Sequence, residues 1–184
     1  MLDLGGHTLQ VSSADECILV SGSGSNGPKI FANGYGSFNV TVQNGVLINN
    51  VAGCFLLAGH ACVIDHVSMV SSGLCTLYDE GGVCNRISNC VFASGTSWEP
   101  PIGPHGEFGA TVVLLGCGDL FENNMVNSSG FGAVSSSNTG AVGSPLGNVI
   151  RNNVIWSTSP ANALGTDEFD VSVGNVIPLG APAQ

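Results

Sequence analysis

Short apolar runs, each led by a small polar residue, recur along the chain at intervals of about 22 residues, a period typical of repeat proteins. In order they read NGVLINN, DHVSMVS, SNCVFAS, NNMVNSS, NNVIWST and GNVIPLG. Aligned on the second residue of each run, they form one column of six positions: Gly45, His66, Asn89, Asn124, Asn153 and Asn175. The steps from Asn89 to Asn124 and from Asn124 to Asn153 are longer than the others. A period of this length predicts a solenoid, because one repeat cannot bury its apolar face without stacking on its neighbours.

The remainder of each repeat favours strands. Between the column positions lie GCFLLAG, GLCTLYD, GATVVLLG, GAVSSS and FDVSVG, which are short, mostly apolar or β-branched, and bounded by turn-forming residues. No segment shows a sustained helical period with caps. The two long intervals carry inserts at residues 96–108 and 141–147. We therefore predict an all-β solenoid in one domain spanning residues 1–184, with the repeat clearest over residues 40–178.

The composition of the column predicts a structural ladder. Asn and Gly are the residues that enter a left-handed turn with the least steric penalty, and they hold five of the six positions. Stacked Asn side chains can also hydrogen-bond to one another along the stacking axis.

The repeats together with the segments LDLGGHTL (2–9) and VIDHVSM (63–69) resemble the pectate-lyase-like superfamily. The resemblance implies a right-handed parallel β-helix with coils of about 22 residues. This superfamily includes polysaccharide lyases, glycoside hydrolases, phage tailspikes and inert shafts, so the fold alone does not assign an activity. The chain lacks the RxPxxR pattern that supplies the lyases with their arginine base.

Charge excludes several classes of partner. Lys and Arg number only three, and the formal net charge is −10, which disfavours nucleic acid because phosphate contacts rely on basic residues. No run of about 18 apolar residues predicts a membrane span, and MLDLGGHTLQ lacks the features of a signal peptide. Seven Cys without a CxxC pair argue against zinc. We expect no metal and no cofactor, with calcium kept as an option at the acidic segments 76–82 and 165–171.

The insert at 96–108 is the predicted binding site. It gathers aromatic and ionisable side chains on one loop of a rigid scaffold, which is where binding residues commonly lie. The candidates for contacting a sugar are Trp98, Glu99, His105 and Phe108. Glu99, Glu107 and His105 are the candidates for acid/base catalysis, which would require two carboxyl groups at a separation of about 5–9 Å. The alternative is a Pro-rich loop that packs on a neighbouring chain.

Single residues outside the insert receive structural interpretations. Asp65 and His66 are adjacent on an extended segment, so their side chains should point apart and the pair should be a variant rung of the ladder. Glu122 and Arg151 each lie two residues before a column Asn, which predicts an ion pair between neighbouring repeats, while Arg86 lies outside that file. Cys54 and Cys75 should stack in one column as buried free thiols, and the other cysteines of the apolar runs should also be buried free thiols: Cys62, Cys84, Cys90 and Cys117.

Successive side chains of each run point to opposite faces of a strand, and both sets are mostly apolar. One apolar face must therefore point away from the core. We expect another subunit to cover it, most simply in a homotrimer. The sequence therefore favours a non-catalytic structural or carbohydrate-binding module of a viral particle or cell-surface assembly. The alternatives are a polysaccharide-degrading enzyme that uses acids near the 96–108 loop, and an inert spacer. A virion, extracellular or cell-surface location is expected, and a cytoplasmic one stays open.

Overall fold

The computed structural model describes residues 1–12, 17–21, 29–31, 38–51, 53–72, 76–79, 82–94, 110–129, 132–136, 147–158 and 160–178. Within them the chain forms eighteen strands and a short 3-10 turn at Pro160–Asn162. The strands are β1 Leu2–Asp3, β2 Thr8–Val11, β3 Ile18–Ser21, β4 Lys29–Phe31, β5 Thr41–Asn49, β6 Phe55–Leu57, β7 Val63–Ser71, β8 Leu77–Asp79, β9 Arg86–Ser88, β10 Val91–Ser94, β11 Ala110–Leu114, β12 Leu120–Glu122, β13 Met125–Ser128, β14 Gly132–Ser136, β15 Val149–Arg151, β16 Val154–Ser157, β17 Leu164–Gly165 and β18 Val171–Val173.

The strands form two parallel sheets. The larger has eleven strands, with β16-β13-β10-β7-β9-β12-β15-β18 along one path and β1, β2 and β5 attached through the β5–β7 pair. The smaller has seven strands in the order β17-β14-β11-β8-β6-β3-β4. The prediction of an all-β fold is confirmed. Strands that pair in parallel need a crossover between them, and from β5 onward these crossovers run through the other sheet.

Paired residues fix the length of each repeat. One file of the larger sheet steps from repeat to repeat through Val42, Ile64, Ile87, Phe121, Ile150 and Ser172. Three of its five steps span about 22 residues, as in the sequence repeat. The steps from Ile87 to Phe121 and from Phe121 to Ile150 are longer, because the inserts lengthen the crossovers without changing the register of the strands.

The apolar core lies between the two sheets. In the larger sheet, two files of buried side chains point inward, one residue per repeat: Val42, Ile64, Ile87, Phe121 and Ile150 in the first, and Leu47, Met69, Phe92, Val126 and Ile155 in the second. Phe92 and Phe121 contact each other with ring centroids 5.7 Å apart. Alternation along the strand sends the intervening residues to the outer surface.

The predicted ladder column is corrected by the register. Asn44 stands opposite His66, and in the same file follow Asn89, Asn123, Asn152 and Gly174. All six have φ between 54° and 68°, so this file holds the left-handed turn of each repeat. Four of the predicted residues lie one position later, in a separate file with Val67 and Cys90: Gly45, Asn124, Asn153 and Asn175. The single column mixed two neighbouring files, since Asn occurs in both.

The second of these files is a hydrogen-bonded Asn ladder. The Oδ1 atoms of Asn124, Asn153 and Asn175 accept the backbone N–H of Cys90, Asn124 and Asn153 at 2.9, 2.8 and 3.0 Å. Each Asn Nδ2 donates to a backbone carbonyl of the preceding repeat, as Asn124 does to Ile87 at 3.0 Å. We call these three residues the Asn ladder. Every buried polar group of Asn124 and Asn153 is thereby paired, which is the condition for burying an amide at low cost.

A second ladder precedes the short strands of the same sheet. The Oδ1 atoms of Asn85, Asp119, Asn148 and Asp170 accept the N–H of Cys62, Asn85, Asp119 and Asn148 at 2.7–2.9 Å. We call these four residues the Asx ladder. The two ladders bracket β9, β12, β15 and β18, so side chains fix where each of these strands starts and stops.

The cysteines differ in part from their predicted positions. Cys54 stands opposite Cys17 and Thr76, because Phe55 pairs with Ile18 and Leu77, so the predicted Cys54–Cys75 column is wrong. Cys75 itself lies outside the described residues. Cys17, Cys54, Cys62, Cys90 and Cys117 are buried, as expected for cysteines of the apolar runs, whereas Cys84 is exposed at a positive φ of 57°. The hydrogen bond with the neighbouring Cys17 thiol, followed by burial, raises the pKa of Cys54 far above its ordinary value.

Candidate functional site

One outward file of the larger sheet carries polar side chains in nearly every repeat. Cα pairing places Asp3, Gln43, Asp65, Ser88, Glu122 and Arg151 in this file. We call these six residues the polar row. They lie on the outer face because they follow the inward residues Val42, Ile64, Ile87, Phe121 and Ile150 by one position, and two of them, Ser88 and Glu122, are buried there. The left-handed turn file comes next along the chain, so the row is flanked by Asn and His side chains.

Asp65 and His66 contact each other directly. His66 Nδ1 lies 2.7 Å from Asp65 Oδ2, which corrects the expectation that these side chains point apart. The reason is the left-handed conformation of His66, with φ of 54°, which turns its side chain back toward the preceding residue. The His66 side chain is 61% exposed. With its proton on Nδ1, His66 presents Nε2 to solvent.

The Asp65 carboxylate is held from three sides. Its Oδ1 accepts hydrogen bonds from Ser88 Oγ and Asn89 Nδ2, both at 2.8 Å, in addition to the His66 contact on Oδ2. Partial burial disfavours the charged form, but the hydrogen bonds from Asn89, His66 and Ser88 outweigh it and hold the pKa of Asp65 below its ordinary value. Asp65 is therefore ionised at neutral pH and orients His66 without competing for its proton.

Glu122 joins the two arginines of the described chain. Arg86 lies 3.1 Å through Nε and 2.9 Å through Nη2 from Oε1, and Arg151 lies 2.9 Å through Nε and 2.6 Å through Nη2 from Oε2. The side chain of Glu122 is only 7% exposed, while those of Arg86 and Arg151 are 53% and 44% exposed. The hydrogen bond and charge of Arg151, followed by those of Arg86, hold the pKa of Glu122 below its ordinary value.

The predicted ion pair between Glu122 and Arg151 is present, and the sequence interpretation missed the second arginine. Arg86 pairs with Leu120 by backbone register, two residues from Glu122, as its position outside the file implied. Side chains two residues apart along a strand lie on the same face of the sheet, as those of Leu120 and Glu122 do on β12. The long Arg86 side chain reaches across this two-residue offset to Glu122. Spacing along the sequence cannot reveal a contact that depends on the reach of one side chain.

At the other end of the row, Asp3 is bound by amides. Gln43 Nε2 donates to Oδ2 at 2.8 Å, and the N–H of Gly5 donates to Oδ1 at 2.9 Å. Asn44 Nδ2 lies 3.3 Å from both oxygens. The hydrogen bonds from Gln43, Gly5 and Asn44 lower the pKa of Asp3. All three carboxylates of the row are thus ionised at neutral pH, and each is held by donors from a neighbouring repeat.

The chemistry of the row suits recognition of hydroxyl groups. It offers carboxylate and amide oxygens as acceptors, and guanidinium, amide and hydroxyl groups as donors. A carboxylic acid that protonates a leaving group must keep its proton near neutral pH, and the lowered pKa values of Asp3, Asp65 and Glu122 act against that role. Among the described residues, no three His, Cys, Asp or Glu side chains gather in a group that could hold a metal ion.

The insert predicted as the binding site lies outside the described residues. This applies to Trp98, Glu99, His105, Glu107 and Phe108, and to all of the 141–147 insert except Gly147. The insert follows β10 and precedes β11, so it leaves the larger sheet at the end of a strand whose outward side chains are Val91 and Ala93. The polar row lies at the other side of the turn file, on β9, β12 and β15.

Two buried carboxyl groups, Asp79 and Asp119, were not singled out from the sequence. Asp119 belongs to the Asx ladder, and Asp79 ends β8. A signal for the Asx ladder was available in four hexapeptides, NRISNC, DLFENN, NVIRNN and DVSVGN. Each begins with a residue of the Asx ladder and ends at a position in the file of the Asn ladder. The carboxyl pair itself could not be found in this way, because Asp79 belongs to the other sheet.

Within the described part of the chain, no helix is long and apolar enough to cross a membrane. Comparison of the chain with protein-family models, with curated proteins and with solved structures found no match.

Proposed function

We propose that this chain is a right-handed parallel β-helix of the pectate-lyase-like kind, with coils of about 22 residues. It serves as a non-catalytic, carbohydrate-binding structural module of a viral particle or cell-surface assembly. Three observations support the fold part of the proposal. Both sheets pair in parallel, the crossovers alternate between them, and the paired positions recur at the period of the sequence wherever no insert intervenes.

The observation that carries the binding function is the polar row. Its side chains lie one repeat apart, about 4.8 Å, on a sheet whose backbone is fixed by pairing on both sides. A row of fixed donors and acceptors at a constant spacing suits a polymer that repeats its hydroxyl groups along its length. Rigid placement also reduces the ordering cost of binding.

The insert adds a second element to the proposal. Trp98 and Phe108 would stack on sugar rings, and Glu99 and His105 would hydrogen-bond to hydroxyl groups. No metal or cofactor is required by this arrangement, although calcium at the acidic segments 76–82 and 165–171 stays an option.

The proposed assembly is a homotrimer. The outward face of β7, β10 and β13 exposes Val70, Val91 and Met125 to 42%, 39% and 43%. Apolar side chains in adjacent strands form a patch that a second copy of the chain would cover. Sedimentation of the wild-type chain at micromolar concentration should give the mass of three chains, and Met125→Asp should reduce it. A monodisperse wild-type monomer would contradict the trimer.

Carbohydrate binding is tested on a glycan array followed by titration calorimetry against the best polysaccharide. Asp65→Asn should weaken binding several-fold if the row contacts the ligand, and Trp98→Ala should do so if the insert does. Thr158→Ala, at an exposed position outside the polar row, is the control for Asp65→Asn. The absence of any array signal, with a folded trimer, would favour the inert spacer.

A polysaccharide-degrading enzyme is the second candidate, and the Asp65–His66 contact is the observation that favours it. A carboxylate on Nδ1 leaves Nε2 available to take up a proton, which is a common arrangement for a general base. The acids Glu99 and Glu107 of the insert are the other candidates. A screen for reducing sugars and for unsaturated products would detect turnover, and its loss in His66→Gln, or in Glu99→Gln and Glu107→Gln, would assign the residue.

A further inference from the structure

Two carboxyl groups meet in the interior where β8 ends and where the chain enters β12. Asp79 and Asp119 are both fully buried. One oxygen of each is satisfied by the backbone: Asp79 Oδ1 accepts the N–H of Gly82 at 3.0 Å, and Asp119 Oδ1 accepts the N–H of Asn85 at 2.7 Å. The remaining oxygens, the two Oδ2 atoms, make no hydrogen bond of good geometry with the described residues, although the N–H of Gly116 lies near enough to lower the pKa of Asp79 and the amide of Asn85 near enough to lower that of Asp119. We call Asp79 and Asp119 the carboxyl pair.

The two Oδ2 atoms face each other across Gly116. A Cβ atom on Gly116 would lie 2.1 Å from Asp119 Oδ2 and 2.2 Å from Asp79 Oδ2, so these oxygens are no farther apart than 4.3 Å, the sum of the two distances. The carbonyl oxygen of Gly82 lies 2.7 Å from the same point. Three oxygen acceptors therefore converge on one small region, and glycine at 116 is what allows the approach.

Few charged groups face this region. His60, half-buried, lowers the pKa of Asp119 through its charge, but only as a minor cause. Burial raises the pKa of Cys62, which directly precedes β7, and the charges of Asp79 and Asp119 raise it further. Asn85, directly before β9, presents its buried Nδ2 to this region and is a further minor cause that lowers the pKa of Asp119. Arg86 and Glu122 project from the outer surface instead.

The neighbours of Asp119 in the Asx ladder show that the acid is not needed for the ladder itself. Asn85 and Asn148, one repeat before and one repeat after, accept the same type of backbone hydrogen bond with an amide oxygen. Asn at position 119 would keep that acceptor and add an N–H donor toward Asp79 Oδ2. The ladder contact alone therefore does not require an acid at position 119.

We propose that Asp79 and Asp119 share one proton in the folded chain and act as a pH-sensitive contact that secures the starts of β9 and β12. These strands carry Arg86 and Glu122, so the contact lies directly beneath the polar row. When the shared proton is present, an O–H···O hydrogen bond joins the two Oδ2 atoms. When it leaves, two negative charges face each other in the interior, and the corner that holds both strands is weakened.

Burial is the largest cause that raises the pKa of each acid, and for Asp79 the facing Asp119 adds to it. A carboxyl whose pKa is higher in the folded state binds its proton more tightly there. Its contribution to the free energy of unfolding is complete below the ordinary Asp pKa of about 3.9 and is lost as the pH rises through the folded value. Asp3, Asp65 and Glu122 act in the opposite sense, so the test must compare variants rather than the pH profile of the wild type.

The test is thermal unfolding of wild type and Asp119→Asn from about pH 4 to about pH 8, a range chosen to begin at the ordinary Asp value. The two curves should coincide near pH 4, and the variant should melt higher near pH 8 by about 2–4 °C or more. Asp79→Asn should behave alike, and the double variant should gain no more than either single one, because each removes the same repulsion. Asp170→Asn is the matched control: its Oδ1 has the same ladder role, but its Oδ2 accepts the N–H of Asp167 at 3.1 Å.

A local readout separates the proposal from general stabilisation. The N–H of Asn85 donates to Asp119 Oδ1, so its hydrogen-exchange protection should fall as the pH rises in the wild type, beyond the intrinsic change in rate, and not in Asp119→Asn. A melting difference that is equal at all pH values would overturn the proposal. So would a melting temperature raised by added calcium or potassium in the wild type and not in Asp119→Asn, since that result would assign a cation to the pair.

Discussion

The repeats of β5 and β7 and the repeats that follow them in the larger sheet are built differently, although they stack in one register. β5 and β7 each run through nine residues without a break. In the later repeats the same path is divided into two strands, β9 with β10, β12 with β13 and β15 with β16, and each strand has only three or four residues. The difference lies at the position that directly follows the left-handed turn.

That position holds Gly45 and Val67 in the continuous repeats, and Asn124 and Asn153 in divided ones. In the continuous repeats Gly45 and Val67 pair through the backbone. In the divided ones a side-chain oxygen takes the backbone N–H, as Asn124 does for Cys90. A side chain that binds the backbone competes with sheet pairing. The comparison shows that the Asn ladder replaces a stretch of backbone pairing and leaves the stacking unchanged.

Removal of one ladder amide should produce the largest effect. Asn124→Ala leaves the buried N–H of Cys90 and the carbonyl of Ile87 without their partners, and should lower the free energy of unfolding by about 3 kcal/mol. The measurement is chemical denaturation. Asn127→Ala, on the exposed face of the same strand β13, is the control and should change the stability by no more than about 0.5 kcal/mol. Similar losses in the two variants would show that the ladder does not carry the stability of the divided repeats.

An intermediate effect is expected at the polar row, where the two regions also differ. Glu122 lies buried between Arg86 and Arg151 in the divided repeats, whereas Asp3, on β1 beside the continuous strand β5, is exposed among amides. Glu122→Gln leaves two guanidinium groups side by side and should destabilise the fold by about 1 kcal/mol. The loss should shrink at high salt, because screening weakens the repulsion.

Asp3→Asn serves as the comparison for Glu122→Gln. It should lower the melting temperature less, because amides rather than cations bind Asp3. Denaturation in low and high salt measures both variants. A loss in Glu122→Gln that does not change with salt would show that packing, and not charge, holds this end of the row.

The smallest effect is expected where the two kinds of repeat meet. Cys90 occupies the file of the Asn ladder one repeat before Asn124. Its thiol lies 3.8 Å from the carbonyl of Ile64, and Asn124 binds the equivalent carbonyl one repeat later, that of Ile87. Cys90→Asn should donate to Ile64 and accept from Val67, extending the ladder by one repeat with a stability change within about 1 kcal/mol. Hydrogen exchange and a structure of the variant should show β7 divided near Val67. A loss as large as that of Asn124→Ala would show that the continuous repeats do not accept the ladder.

Cys90→Ala is the matched control for this substitution. It removes the thiol without supplying an amide, so β7 should stay continuous while the stability falls slightly. The pair of variants therefore separates the effect of a missing thiol from the effect of an added ladder residue.

The residue pattern alone is enough to predict the strand content and the period of this protein. Turn-forming Asn, Gly and His recur with short apolar runs at intervals that survive in the register, because each repeat must place the same face toward the core. The same spacing predicted the Glu122–Arg151 ion pair.

The tertiary structure decided which residue of each Asn-Asn pair turns the chain and which forms the ladder. Both are Asn at 123–124 and 152–153, so composition cannot distinguish them, and only φ and the hydrogen bonds do. It also decided that His66 folds back onto Asp65, since the left-handed backbone reverses the usual alternation of side chains. Finally, it placed Asp79 against Asp119 across two sheets, a contact that depends on stacking and that no local pattern in the sequence records.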